Sequence, residues 1–379
     1  MLHGQDIEST WWDVAIGRAD LVRALAPRHG WRHVRAKRAH SRLVSERRQD
    51  MARGMWLDAA AELGATADEI APGLLEIRLG TAVTRIRGQT TSLNDPVAID
   101  VASYKPLAYE LLEAAGVPVP HRVVVPARHL AAARRLLDEI GAPCVVKPAR
   151  GAGGEGVTGG VSTVVQLRRA LRQAGRFHRQ ALVERQVAGD SYRILLLDGV
   201  VLDVLRRPRP RLRGDGARTI EALLLEEHDR RLASDGPDGI KPFVADLDCL
   251  VALEAAELSL RSVLRPGEEV AIRTVTNHNG PHDIDRSTEP MSERLLAEAR
   301  DAVSALGLRF AGVDVLTTDP TRDLRETGGV VLEANPVPGL TYHYAKASPQ
   351  PATPVGASIL KALLGRPYSA DGRVPCATP

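Results

Sequence analysis

Glu333 and Asn335 stand two residues apart in the apolar run VVLEAN, and Asp314 interrupts a second apolar run, AGVDVL. Residues two apart on a strand face the same side, so Glu333 and Asn335 offer a carboxylate and an amide oxygen to one point. Hard oxygen donors at that spacing suit Mg²⁺, which keeps several waters and bridges phosphates. Asp314 is the natural third ligand. The bland alternative is three polar residues on solvent faces. It is disfavoured because an uncompensated carboxylate inside an apolar strand is costly.

A second group of residues carries positive charge. The apolar stretch CVVKP ends in Lys147, and the loop GAGGEG follows at 151–156. There an ammonium can meet phosphate oxygens as a point charge. The chain has 50 basic residues but only six lysines, so Lys147, and Lys105 at the opening of a helix, carry more information than usual. The glycines Gly151, Gly153, Gly154 and Gly156 formally satisfy a dinucleotide-binding fingerprint. Context rejects that reading: Val157, Gly159, Gly160 and Val161 favour a strand, where a dinucleotide fold needs a helix. A hairpin loop whose N–H groups fold over phosphates fits better. The connector VERQV then places Glu184 and a backbone edge where both can bond an adenine, although VER is equally a plain strand end.

These residues need a frame. Residues 103–116 read as a helix with Pro106 in its first turn and Gly116 as its stop. HRVVV, CVVKP and ALVERQV read as strands, and AARRLLDEIG as a helix. YRILLLDGVVLDVLRR reads as a hairpin, with Asp198-Gly199 suited to a type I′ turn. TIEALLLEEHDRRL is a helix, EEVAIRTV a strand reaching past Arg273, and SERLLAEARDAVSALG a helix stopped by Gly307. FAGVDVLTTD and GGVVLEAN are strands. Helices and strands mix without strict alternation. Residues 1–92 contain an Arg-rich segment, Arg32 to Arg53, read as a solvated helical face, and the helix MWLDAAAELG; neither suggests chemistry.

Composition narrows the classes. With 379 residues, two to three domains are expected. A net charge of +3 and 13 aromatics supply neither a polyanion field nor a base-stacking platform, so nucleic acid is not the expected partner. Nor is a membrane: no apolar stretch approaches the length of a bilayer span, and MLHGQDIESTWWD does not read as a targeting segment, so a cytoplasmic protein is expected. Cys144, Cys249 and Cys376 lie too far apart for a disulfide framework or a metal cluster.

The order of these phrases, PCVVKPARGAGGEGV, ALVERQVAGDSYRILLLDG, AGVDVL and LEANPVPGLTYH, resembles the ATP-grasp superfamily over about residues 100–345. Within it the likeness is to the ATP-grasp part of cyanophycin synthetases and related amino-acid ligases. The resemblance implies an α/β, more strictly α+β, ATP-grasp fold of two lobes. The divisions are an amino-terminal substrate domain (1–92), a central lobe with the glycine loop (93–187), a carboxyl-terminal lobe with the metal site (188–366) and a loose tail (367–379). It also implies that Lys105 and Lys147 contact ATP phosphates under the glycine loop, and that Glu184 and Val187 frame adenine. Asp314, Glu333 and Asn335 would hold Mg²⁺, or Mn²⁺ in its place. Arg273, with Asn277 beyond it, matches the arginine near an acyl phosphate; otherwise it is an exposed strand arginine. Arg193 and Arg206 match basic positions near phosphate or substrate. Relatives often carry a ribose-binding acid where this chain has Ser191. The implied activity is an ADP-forming carboxylate–amine ligase joining amino acids or a short peptide. The acid would be glutamate or aspartate, as in a single γ-glutamyl condensation of a natural-product pathway, and self-association is allowed. Rival readings are an ATP-grasp kinase or carboxylase and a nonenzymatic ATP-binding regulator.

Overall fold

The computed structural model describes residues 27–140, 143–151, 153–234, 245–276, 285–286, 290–344 and 353–365. The expected 367–379 tail lies outside them. Helix α1 (Pro27–Glu62) takes up both the Arg-rich segment and MWLDAAAELG. Three short antiparallel strands follow: β1 (Thr66–Ala71), β2 (Leu74–Leu79) and β3 (Ala82–Arg87). Sequence reasoning had no account of this meander, because TADEIA and AVTRIR are too polar and too exposed to alternate cleanly.

Helix α2 (Pro96–Ser103) is capped by Asp95, which accepts from the Val97 and Ala98 amides. Helix α3 (Lys105–Ala114) carries Pro106 in its first turn, as its sequence predicts. Then come β4 (Arg122–Pro126), α4 (Leu130–Ile140), β5 (Cys144–Pro148), β6 (Thr158–Val161), α5 (Val164–Ala174) and β7 (Gln180–Arg185). The four strands form one antiparallel sheet, ordered β4-β7-β5-β6. The glycine loop is therefore a hairpin connection between β5 and β6, with a strand after it.

Strands β8 (Asp190–Leu197) and β9 (Val200–Arg207) form the expected hairpin. Asp198 and Gly199 both have positive φ, 49° and 78°, as a type I′ turn requires. An inserted unit follows: β10 (Arg211–Arg213), α6 (Ile220–Ala233), α7 (Leu247–Ala255) and β11 (Glu269–Ala271). The chain continues through β12 (Asp285–Arg286), α8 (Glu293–Ala305), β13 (Phe310–Thr317), α9 (Leu324–Thr327), β14 (Val330–Asn335), a 3₁₀ turn (Thr341–Tyr344) and α10 (Val355–Leu364). The second sheet is antiparallel, ordered β12-β9-β8-β13-β14. Every strand pairing among the described residues is antiparallel, so the fold is α+β rather than parallel α/β.

Period-2 alternation splits the second sheet between two cores. Ile194, Leu196, Ala311, Val313 and Val315 face a core with α2, α3 and α8. Leu195, Leu197 and Phe310 face a core with Trp56, Ile77 and Ile359, where α1, the three-stranded meander and α10 pack. Truncating buried Phe310 to alanine would cost about 3–5 kcal/mol. Asp314 belongs to the Phe310 face, one turn of the pleat beyond this core. Among the described residues, no helix is long and apolar enough to cross a membrane.

Candidate active site

Cross-strand register brings the acidic residues together. Asp314 on β13 lies opposite Glu333 on β14 and opposite Arg193 on β8, while Gly312 lies opposite Asn335. Directly paired residues share a face, so Asp314, Glu333, Asn335 and Arg193 converge, as the spacing predicts for the three oxygen donors. A register shift after Asp314 leaves Leu332 without a partner, a bulge that re-aims the neighbouring Glu333. The glycine at 312 is needed for close approach: a Cβ there would lie 2.7 Å from Arg193 Cδ and 2.9 Å from Pro338 Cβ. Only a residue without a side chain lets Arg193 cross β13 to reach Asp314.

Asp314 is 2 % exposed and forms a two-bond fork with Arg193, with a third bond from Arg207 Nη2 to Oδ2 at 2.8 Å. Burial raises its pKa, but the two guanidiniums outweigh that and hold the carboxyl at about 2. A carboxylate offers about four lone-pair sites, and these bonds leave one on Oδ1. Asn335 Nδ2 donates to Glu333 Oε1 at 2.8 Å, which turns the amide oxygen outward from that bond and leaves Oε2 for another partner. Asp314, Glu333 and Asn335 thus retain one hard oxygen donor each, a set that fits a divalent ion completing its shell with water and phosphate. Among the described residues no three His, Cys, Asp or Glu side chains are grouped so that they could hold a metal ion by themselves.

Lys147 on β5 lines the same cleft as Asp314 and Glu333. It is buried, pairs with Glu184 Oε1 at 2.9 Å and donates to the Tyr109 hydroxyl at 2.6 Å. Burial pulls its pKa down, but the Glu184 carboxylate more than offsets that and keeps it protonated. Lys105 Nζ donates to the Gly151 carbonyl at 2.9 Å, tying α3 to the glycine loop; its pKa is lowered, first by burial and opposed by Glu333. One cleft is lined by Lys105, Lys147, Gly151, Gly153, Gly154, Glu184, Val187, Asp314 and Glu333. Two lysines, the glycine loop, the Glu184–Val187 connector and two carboxylates therefore meet in one place.

Other sequence-selected residues have partners of their own. Gly156 packs against the Phe177 ring. Ser191 is buried and accepts from Arg207 Nη2 at 3.2 Å. Arg193 is engaged with Asp314. Arg206 bonds Asp190, because alternation along β9 sends Arg206 and Arg207 to opposite faces and it is Arg207 that shares the face of Asp314. Arg273 is not on a strand. The strand ends at Ala271, and Thr274 N donates to Asp248 Oδ2 at 3.1 Å instead of to a neighbouring strand. Arg273 is buried, not exposed, and pairs with Asp246 at 2.9 Å. Asn277 lies outside the described residues.

Three participants escaped the sequence reading. Arg207 shares the face of Asp314 only through the register of β8 and β9, which no residue type announces. Tyr109 is four residues after Lys105, on the same helix face. Asp248 interrupts the apolar run LDCLVAL, the same signal that singled out Asp314. It is buried, and it receives the Gly159 amide at 2.9 Å as well as Thr274 N, so it fastens the glycine hairpin to the cleft-lining segment 274–276.

Residues 111–208 match the family model described as the D-ala D-ala ligase C-terminus. The chain is 30% identical over 305 residues to the cyanophycin synthetase of Trichormus variabilis, an alignment covering 80% of this chain and 33% of that protein. It is 27% identical over 264 residues to the glutathione biosynthesis bifunctional protein of Pasteurella multocida, covering 68% of this chain and 34% of that one. It thus spans about a third of the length of the curated relatives it matches. The crystal structure of a bifunctional glutathione synthetase from Pasteurella multocida superposes with a TM-score of 0.54 at 22% identity, over 83% of this chain and 44% of that chain, and so shares the fold.

Proposed function

The chain belongs to the ATP-grasp superfamily, and from that premise we propose that it is an ATP-dependent, ADP-forming ligase that joins a carboxylic acid to an amine through an acyl phosphate. One observation carries the reading: Asp314 and Glu333, paired across β13 and β14, open into the same cleft as Lys105, Lys147 and the glycine loop. In the proposed reaction a carboxylate oxygen bonds to the γ-phosphorus as the bond from that phosphorus to the β–γ bridging oxygen breaks, leaving ADP. The amine nitrogen then bonds to the acyl carbon, phosphate departs, and the nitrogen gives up a proton.

The obstacle is bringing two anions together, and fixed cations oppose the repulsion. Lys147 is held protonated and aimed by Glu184 and Tyr109. Lys105 crosses from α3 to the loop carbonyl at Gly151. A divalent ion held by Asp314, Glu333 and Asn335 would supply charge neutralisation between the phosphates. Arg193, Arg207 and Arg209 carry one positive charge more than Asp314 and Glu333 on this wall, and Arg207 and Arg209 both line the cleft. That excess supports an acid substrate with a second carboxylate, glutamate or aspartate, with an amino acid or short peptide as the amine.

The test is incubation of the purified chain with ATP, Mg²⁺ and pairs of amino acids, following phosphate release and product mass. ADP formation that depends on both partners and yields an amide is expected. Phosphate release that never responds to an added amine would refute the ligase reading.

A further inference from the structure

Tyr109 joins the two halves of the cleft through a single oxygen. Its ring sits in the apolar core beneath α3, 1 % exposed, where a phenylalanine would fill the same volume. The hydroxyl has two specific partners: Lys147 Nζ donates to it at 2.6 Å, and it donates to the Leu332 carbonyl at 2.7 Å. The polarity is fixed. A protonated lysine has no acceptor, so the phenol must accept from Lys147, and its one O–H is committed to Leu332. Leu332 is the bulged residue between β13 and β14, left without a cross-strand partner immediately before Glu333. Arg122 covers the ring at 4.6 Å and is itself clamped by Glu113 at 2.8 and 2.9 Å, which fixes the plane of the phenol.

We propose that Tyr109 is a positioning residue whose hydroxyl ties the phosphate-side lysine to the bulge that sets the aim of the metal-side carboxylate, so that nucleotide and divalent-ion affinities depend on it together. The inference rests on the ligase reading only for the identity of the two ligands. Removing the oxygen leaves Lys147 paired with Glu184 and takes from the Leu332 carbonyl its tyrosine donor, freeing Glu333 to tilt.

The experiment uses the full chain as wild type, Tyr109→Phe, Lys147→Met and the double variant. Calorimetry with AMPPNP is run in EDTA and across a Mg²⁺ titration. Partners that orient a metal ligand typically change metal affinity 10–100-fold; since Tyr109 acts on the backbone beside the ligand, the half-saturating Mg²⁺ concentration in Tyr109→Phe should rise about tenfold. Metal-free nucleotide affinity should also fall, and the double variant should be no weaker than Lys147→Met in that measurement, because both changes cut the same link. A Tyr109→Phe chain within about twofold of wild type in both affinities, a free-energy change of about 0.4 kcal/mol, overturns the inference and leaves the ligase reading standing. A folded wild type that binds neither AMPPNP nor Mg²⁺ overturns the ligase reading itself. If Tyr109→Phe does not fold, wild type labelled with 3-fluorotyrosine replaces it. The Tyr109 ¹⁹F resonance should then shift on adding Mg²⁺ with AMPPNP, and a resonance that stays in place overturns the inference.

Discussion

Replacing Asp314 with asparagine removes one charge from a site where two guanidiniums depend on it. The side chains of Arg193 and Arg207 are each 12% exposed and that of Asp314 3%, so water compensates little. Two routes give the magnitude. A carboxyl shifted from its ordinary 3.8 to about 2 by its surroundings corresponds to about 2 kcal/mol of stability. Breaking a buried pair by removing one partner costs about 3–5 kcal/mol, because the remaining charge stays buried. Arg207 reaches the cleft and can turn toward water, so we expect a loss of about 3 kcal/mol, between the two routes. Urea unfolding at neutral pH measures it. The pH dependence has a definite sign: a folded pKa below the unfolded one gives stability that is complete above about pH 4 and is lost as pH falls toward 2. The wild-type acid limb should therefore be steeper in that window than that of Asp314→Asn. The variant should also bind metal-free ATP at least as tightly as wild type, since two guanidiniums have lost their counter-ion. A folded variant that loses less than about 1 kcal/mol and keeps the wild-type acid limb would show that the arginine pairs do not bear on Asp314 as described.

Glu333→Gln should leave urea stability within about 0.5 kcal/mol, because Glu333 is half-buried and held by Asn335, yet it should abolish Mg²⁺-dependent ADP formation; unchanged turnover in a folded variant removes Glu333 from the site. Lys147→Met should weaken ATP binding about tenfold by calorimetry, the scale of a charge-assisted hydrogen bond; an unaltered affinity counts against the phosphate role. Gly312→Ala forces a methyl against Arg193 and Pro338 and should cost about 1–3 kcal/mol while weakening Mg²⁺ binding. A neutral melt would mean that Arg193 has room to move.

The residues that line the candidate cleft are more legible in the sequence than parts of the architecture around them. Asp314, Glu333 and Lys147 could be read because charged groups that interrupt apolar strands need a reason to be there. The Asp198-Gly199 turn could be read because a type I′ turn demands positive φ twice. Arg206 and Arg207 show the limit: adjacent arginines differ only in which face they take, and the bulge between Leu195 and Leu196 resets that parity where no residue type announces it. Arg273 shows another. Its run alternates like a strand, but Asp248 captures the next amide, and a buried carboxylate 25 or so residues away is invisible to periodicity. The β1–β3 meander was missed because half-exposed strands lose the alternation that identifies them.

One strand face has a longer reach than its residues suggest. Phe310 and Asp314 lie on the same side of β13, the first wedged against Trp56, Ile77 and Ile359 from the amino-terminal helix, the meander and the last helix. The described amino-terminal helix, the meander and the last described helix are thus the bed on which the strand carrying Asp314 lies. A void opened beneath Phe310 would change the pitch of that strand, and divalent-ion affinity would become a gauge of how well the layer beneath it is packed.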